Sequence, residues 1–571
     1  MDDRISEFPI PILHHIICYL SQKEAVRTCV LSKKWRHIGS TRPNLDFSEE
    51  WFDNTQEKSV SVVDQNCSIL QHILFLLSRP WRHKGSTRPN KGFNTTQQNF
   101  VSVVNRTLQG YCDRNLSIHK LYLDLSWVSR PVVSLLDKWI PIIAALNIKA
   151  LKLTFLLYTP AYYYLPSAVL ATESLEELHL SNCRLSPVES VRFKSLRTLT
   201  LDFVEVDGGT LEKITWGCSL LRRLVLTNCC GLRNVRLSET TSPGLKHFVL
   251  RDFERIEGRS IEIDVPNLET VSIQGTWTWS HRQSTFLFSR LTILHLYSVI
   301  LSSESFDLLS FGCPTLAILT IDNCSGFEEF HLASDSVKWL SISTTETLLK
   351  GASICAANVV YFMFTAHITQ VLDTFSFTTT TSKKWYSYVS LSSREVDPDF
   401  DVNWWFLNLR RMLKALSGSR ISLSLEMDGG PLNVPCNDAD CNHLLGNHRP
   451  VVVDSLEFST SKCRTASWYS GFVNGLFRVC RPRHIWCCRL VSKSARNKHR
   501  LSEFQFNILL ANESLGTEPF FWRHDLEQVH VKTVNEKIWQ LVQWTNLLKL
   551  RNRTYDGIMC LELKWRGQKT T

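Results

Sequence analysis

The sequence predicts an α/β chain: a short N-terminal three-helix module, then a solenoid of parallel strands, closed by an irregular α+β cap. Three observations point there. Residues 9–40 place apolar side chains at helical spacing behind helix-start signals. From residue 118 the pattern L-x-x-L-x-L, with aliphatic variants, recurs about every 21 to 30 residues. The 571 residues exceed what a single compact core organises, so an elongated array or several domains is needed. An apolar share of 44% with 21% charged residues fits a folded chain and excludes wholesale disorder. The +10 formal charge is mild for this length and permits an acidic partner without requiring one.

The 18 cysteines are scattered, without the paired spacing of a small disulfide scaffold. The chain opens Met1-Asp2-Asp3-Arg4, without the apolar core and cleavage site of a signal peptide. The apolar stretches at 73–77 and 140–146 are too short to cross a bilayer. We therefore expect a reducing compartment, cytoplasmic and/or nuclear, no membrane, and cysteines that act as small buried hydrophobes.

In the N-terminal module, Pro9 and Pro11 sit where a helix can begin, and Ile12, Leu13, Ile16, Ile17 and Leu20 follow at helical spacing. Ser21 with Glu24 has the form of a capping box opening a second helix with Ala25, Val26 and Cys29. Ser32 caps a third, which buries Trp35. Three such helices bury too little surface to stand securely alone, so completion by a partner is expected.

These residues resemble an F-box, specifically the plant form. The head D-x-I-S-x-L-P is matched by Asp3, Ile5, Ser6 and Pro9, and the I-L-x-x-I-x-x-x-L helix by Ile12, Leu13, Ile16 and Leu20. The element A-V-R-T-S-V-L-S-K-x-W-R is matched by Ala25–Thr28, Val30–Lys33, Trp35 and Arg36. Phe8 replaces the usual Leu, Cys29 replaces Ser, and Ile38-Gly39-Ser40 departs from the usual continuation. The resemblance implies docking onto the Skp-type adaptor of a cullin–RING ubiquitin ligase, helix into groove. The expected anchors are Pro9, Ile12, Leu13, Ile16, Leu20, Val26, Leu31 and Trp35. The F-box is set at 1–47.

Residues 78–93, SRPWRHKGSTRPNKGF, nearly repeat 32–47, SKKWRHIGSTRPNLDF. Pro80 precedes Trp81 where the first copy has Lys34, which disturbs a helix there. The stretch 48–110 is therefore read as a linker with a partial duplication and some helix, not a second F-box.

The repeats occupy 111–375. They start at Ile118, Ile148, Leu175, Leu196, Leu221, Leu245, Leu268, Leu291, Leu316 and Val337. Asn182-Cys183, Asn228-Cys229 and Asn323-Cys324 stand just after the strand, where a leucine-rich repeat makes its internal turn. Stacking is obligatory, because no single repeat can bury its own apolar side. Strand alternation sends Leu178 and Leu180 inward. Arg223, His247, Arg251, His295, Tyr297 and Trp339 are then left on the concave face, together with Glu177, His179, Ser181, Val225, Ile293 and Ile318. The first six are the candidate target-binding residues; their plainer reading is as solvated strand residues.

From 376 to 571 the repeat is expected to fade into a repeat-like cap. FVNGLFRVCRP from Phe472 and FWRHDLEQV from Phe521 resemble two late elements of plant F-box/leucine-rich-repeat proteins, so the resemblance covers nearly the whole chain. Cys436, Cys441, His443 and His448 offer zinc-type ligands, but a loop this short poorly accommodates a tetrahedral set. No metal is assigned. The basic run from Arg478 to Arg500 around Trp486 reads as a solvated flank, and nucleic acid is not expected as a partner.

No phosphate-cradling glycine loop, nucleophile elbow or His-Glu-x-x-His helix is found. The resemblance implies a non-catalytic substrate receptor of a ubiquitin ligase, with no cofactor, holding an unknown target protein near the ligase. Two alternatives stay open: a basic repeat scaffold binding nucleic acid or protein outside any ligase, and a degenerate F-box protein that no longer docks.

Overall fold

The computed structural model describes residues 7–20, 22–28, 32–49, 91–156, 162–185, 191–254, 256–280, 288–302, 309–310, 312–345, 347, 349–368, 372–381, 384–393, 401–427, 449–459, 466–487, 498–499, 521–533, 540–541, 555–556 and 559–566. The chain divides into two compact units, Met1–Asp252 and Phe253–Thr571. The fold is α/β, dominated by parallel strands.

The first unit opens with three short helices, α1 (Ile10–Cys18), α2 (Gln22–Thr28) and α3 (Lys33–Ser40). Pro9 stands in extended conformation ahead of α1, where its fixed φ suits the helix entry. The Ser32 hydroxyl accepts from the Trp35 N–H at 3.2 Å and starts α3. Leu13, Ile17, Ala25, Trp35 and Ile38 close into one core, with Ile16 and Leu20 packed against it. The proposed box partner Ser21 lies outside the described residues.

The chain then runs directly into a ladder. Asn44–Ser48 is its first strand, followed by Lys120–Leu125, Ala150–Phe155, Glu177–Ser181, Thr198–Asp202, Arg223–Thr227 and His247–Arg251. Every neighbouring pair is parallel and in register: Asn44 beside Lys120, Ala150, Glu177, Thr198, Arg223 and His247 in turn. Alternate residues such as Leu178, Leu180, Leu224 and Leu226 are buried. Each such leucine contributes about 1.5–3 kcal/mol relative to exposure.

Helices cover the inner side of the ladder. Residues 48–110 include the start of the helix Lys91–Asp113, which buries Phe100, Val104, Leu108 and Tyr111. The Arg130–Ala145 helix packs beside it, its Trp139 indole donating to Asn105 at 2.9 Å. The Tyr111 hydroxyl donates to the Arg42 carbonyl at 2.8 Å, and the His119 N–H to Pro43 at 2.7 Å. The segment that leaves the three-helix module is thus tied to the ladder. The duplicated segment 78–90 lies outside the described residues.

The second unit repeats the arrangement. Thr270–Gln274, Ile293–Tyr297, Ile318–Asp322, Trp339–Thr344, Tyr361–His367, Tyr386–Ser393 and Arg420–Met427 run parallel. Val451–Ser459 and Cys480–Cys487 continue the same parallel ladder. The repeat therefore does not fade near residue 375. What changes is the spelling: Phe362, Phe364 and Val389 occupy the buried positions where earlier strands use leucine. Short strands Glu329–Ser334, Gly351–Ala356 and Thr374–Thr378 form a second parallel sheet. Helices Val402–Ala415 and Ala466–Val479 cover the later rungs.

The ladder ends in an antiparallel cap. Met559–Trp565 lies antiparallel to Cys480–Cys487, and Leu526–Thr533 antiparallel to Met559–Trp565. This joins the two late sequence elements: the Arg481 guanidinium meets the Asp525 carboxylate at 2.8 Å and lies 4.5 Å from the Trp565 ring centre. The Trp565 indole donates to the Pro482 carbonyl at 2.8 Å.

Candidate docking and recognition surfaces

The expected adaptor anchors divide by burial. Leu13 is 0% exposed and Trp35 4%, so both are spent inside the module's own core and offer a partner no surface. Ile16 and Leu20 are half-buried against that core. Pro9 and Ile12 are exposed, and Phe8, Ile10 and Ile12 are each 46% exposed, with Tyr19 at 79%. The Val26 side chain and Leu31 lie outside what is described. Sequence spacing missed Phe8, Ile10 and Tyr19. The signal was present: α1 is apolar on more than one side, and its core uses only Leu13 and Ile17. Lys34 ties the entry of α1 to α3, its ammonium donating to the Phe8 carbonyl at 2.9 Å.

The six candidate target-binding residues all lie on the ladder face turned away from the core, three in each unit. In the first unit Arg223 and His247 are register partners, and Arg251 stands beside Thr227. In the second, His295 and Tyr297 share a strand, with rings 6.2 Å apart, and His295 is 2.9 Å from the Thr320 hydroxyl. Trp339, 45% exposed, stacks on Tyr361 with ring centres 4.2 Å apart. Tyr386, also 45% exposed, is the register partner of Tyr361, and Arg420 lies 5.9 Å from its ring centre. Tyr361, Tyr386 and Arg420 were not among the candidates; the strands of the two tyrosines do not spell the leucine pattern.

Charge on the first unit's face is arranged around Lys152, whose ammonium meets Asp124 at 2.9 Å. Burial pushes the Asp46 carboxyl up, Asp124 pushes it further, and Lys152 opposes both. Burial also raises Asp202, against a hydrogen bond from Ser181. Burial lowers His179, aided by Lys152, so its imidazole favours the neutral form.

Cys183, Cys229 and Cys324 are buried, and burial pushes each thiol up to about 12. Cys229 and Cys324 approach the Leu201 and Leu296 carbonyls at 3.5 Å. The candidate zinc ligands Cys436, Cys441, His443 and His448 lie outside the described residues. In the basic run, Arg481 is buried on Asp525, and the His484 ring nitrogen is 3.0 Å from the Asp454 carbonyl. Both are absorbed by the fold. No helix among the described residues is long and apolar enough to cross a membrane.

A helical module joined to a leucine-patterned parallel ladder defines a small helical domain followed by a repeat array. Comparison with known proteins gives both parts a name. The F-box domain family matches residues 5–46, and the family described as "At1g61320/AtMIF1, LRR domain" matches residues 114–285. Among curated relatives, the F-box/LRR-repeat protein At3g59200 of Arabidopsis thaliana is 28% identical over 275 residues, 47% of this chain and 44% of its own length. The Arabidopsis F-box protein At5g03100 is 28% identical over 243 residues, 42% of this chain and 61% of its length. F-box/LRR-repeat protein 25, also from Arabidopsis, is 25% identical over 286 residues, 50% of this chain and 89% of its length. The matches span about half the length of the first two relatives. The chain thus carries an F-box domain and an LRR domain and is similar to Arabidopsis F-box/LRR-repeat proteins.

Proposed function

We propose that this chain is the substrate-recognition subunit of a Skp–cullin–F-box type ubiquitin ligase. The F-box docks the adaptor, and the strand face of the repeats holds a target protein. Catalysis in this reading is by proximity: target lysines are held at high effective concentration near a ubiquitin conjugate formed on another subunit. The chain itself contributes no reacting group and needs no cofactor.

The observation that supports this reading most is the exposed apolar set Phe8, Ile10, Ile12 and Tyr19 beside a core that is already complete. Exposed side chains of this kind, on α1 and immediately flanking it, suit an apolar groove. Leu13 and Trp35, expected as anchors, instead hold the module's shape. The domain reading proposed with it is an F-box over 1–47, a linker over 48–110, repeats over 111–375 and, over 376–571, a repeat-like region that carries the parallel ladder on to its antiparallel cap.

The test is co-elution of the full chain with a purified Skp-type adaptor and a cullin–RING pair on size exclusion. One complex containing all components is expected. Elution of the folded chain apart from the adaptor would overturn the reading.

A further inference from the structure

We infer that the outward row Ile318–Trp339–Tyr361–Tyr386–Arg420 is the recognition site for an extended acidic-and-apolar segment of a partner protein. This rests on the reading of the strand face as the target surface, and deepens it by naming the target's chemistry.

The row is continuous. Ile293, Ile318, Trp339, Tyr361, Tyr386 and Arg420 are successive register partners across six parallel strands. Trp339 and Tyr386 are exposed on it, and Ile293, Ile318 and Tyr361 are half-buried between and beside them, so the row presents a contiguous apolar strip. Tryptophan, tyrosine and arginine are also the side chains that most often dominate binding energy at interfaces.

The geometry selects the occupant. Trp339 and Tyr361 stack at 4.2 Å with planes 28° apart, and Arg420 lies over Tyr386. Faces covered in this way leave ring edges towards a partner, and ring edges carry the positive end of the quadrupole. Arg420 adds a full positive charge at one end, and Lys338, exposed just before Trp339, adds another beside it. No carboxylate stands in this outward row or in the next, which runs from Ser272 through His295 and Tyr388 to Ser422. Asp322 and Glu457 stand one row further and border the site on that side. A nucleic acid is disfavoured by the same geometry, since one face of each ring is already taken and bases would have only the other to stack on.

Spacing sharpens the recognition element. Trp339 and Arg420 are separated by three strand steps. At about 4.8 Å per step this spans about 14 Å, or roughly four residues of extended peptide. The segment therefore places an aliphatic or aromatic side chain over Ile318 and Trp339, and a carboxylate about four residues along it at Arg420.

The experiment measures binding of fluorescein-labelled random copolymers of glutamate and tyrosine to the purified full chain by anisotropy. A lysine–tyrosine copolymer and oligothymidylate serve as competing probes. The glutamate–tyrosine copolymer is expected to bind best. Trp339→Ala and Arg420→Gln are each expected to weaken it about tenfold or more, the scale of an interface hot spot. Trp216→Ala, at an exposed indole elsewhere, should leave it unchanged. Melting temperature is followed for each variant, and Arg420→Gln, at an exposed strand end, decides the outcome if Trp339→Ala is unfolded. Absence of binding, binding indifferent to the Arg420 change, or preference for either competing probe would overturn the inference. No adaptor is present, so failure of the ligase reading and failure of this site are read separately.

Discussion

Asn182, Asn228 and Asn323 carry φ of 56°, 48° and 49°, in the left-handed region that asparagine tolerates better than most side chains. Each closes its strand by donating its N–H to the next rung, Asn323 to Ser343 at 2.7 Å. Asn323 also accepts from the Thr345 hydroxyl at 3.2 Å. Asn323→Ala is expected to lower stability by about 1–2 kcal/mol, read from urea denaturation, since it loses both the tolerance and the bond. The neighbouring cysteines give a second outcome. With thiols pushed up to about 12, Cys229 and Cys324 should resist iodoacetamide at pH 8, while the exposed Cys230 and Cys355 react. Peptide mapping reads this directly, and comparable labelling of all four would contradict their burial. Asp46 gives a third. Its folded pKa is raised, so its ionisation costs stability above the folded pKa and costs nothing below the unfolded value of about 4. Asp46→Asn should therefore raise the melting temperature at pH 7, with the gain vanishing below about pH 4. A loss at pH 7 would show that pairing with Lys152 outweighs burial.

Elements were legible where their chemistry repeats. All ten leucine-patterned segments form ladder strands, because alternation with aliphatic core positions leaves little freedom of register. The strands Tyr361–His367 and Tyr386–Ser393 alternate equally well, but with aromatic and hydroxyl residues, and a leucine template passes over them. The F-box shows a different limit. Helical spacing identifies an apolar stripe but not what the stripe faces, so Leu13 and Trp35 read as anchors although they are the module's interior. The late F-x-x-G-L element was recognised by resemblance alone; its physical reason lies in packing between helices. A Cβ on Gly475 would come within 2.3 Å of the Phe406 ring on the Val402–Ala415 helix. Gly475→Ala is expected to cost about 1–3 kcal/mol through overpacking, measured by thermal denaturation. An unchanged melting temperature would mean that this helix pair yields more readily than its close approach implies.

Across the first unit, the docking module and the array share a backbone and a set of hydrogen bonds. Pro43 accepts from His119, Arg42 accepts from Tyr111, and Asn44–Ser48 is itself a rung. A module that buries too little to stand alone is here supported by the array that follows it, which sequence spacing alone did not reveal because the contacts join residues about 70 apart. In the proposed ligase this continuity would fix the first rungs relative to the adaptor. In the proposed ligase, adaptor binding is carried by the outer apolar residues of α1 and not by its core. It is tested most directly by calorimetric titration of a Skp-type adaptor into the full chain and its Ile12→Asp variant. The expected result is at least about tenfold weaker binding with an unchanged melting temperature. Equal affinity in the two proteins would contradict it.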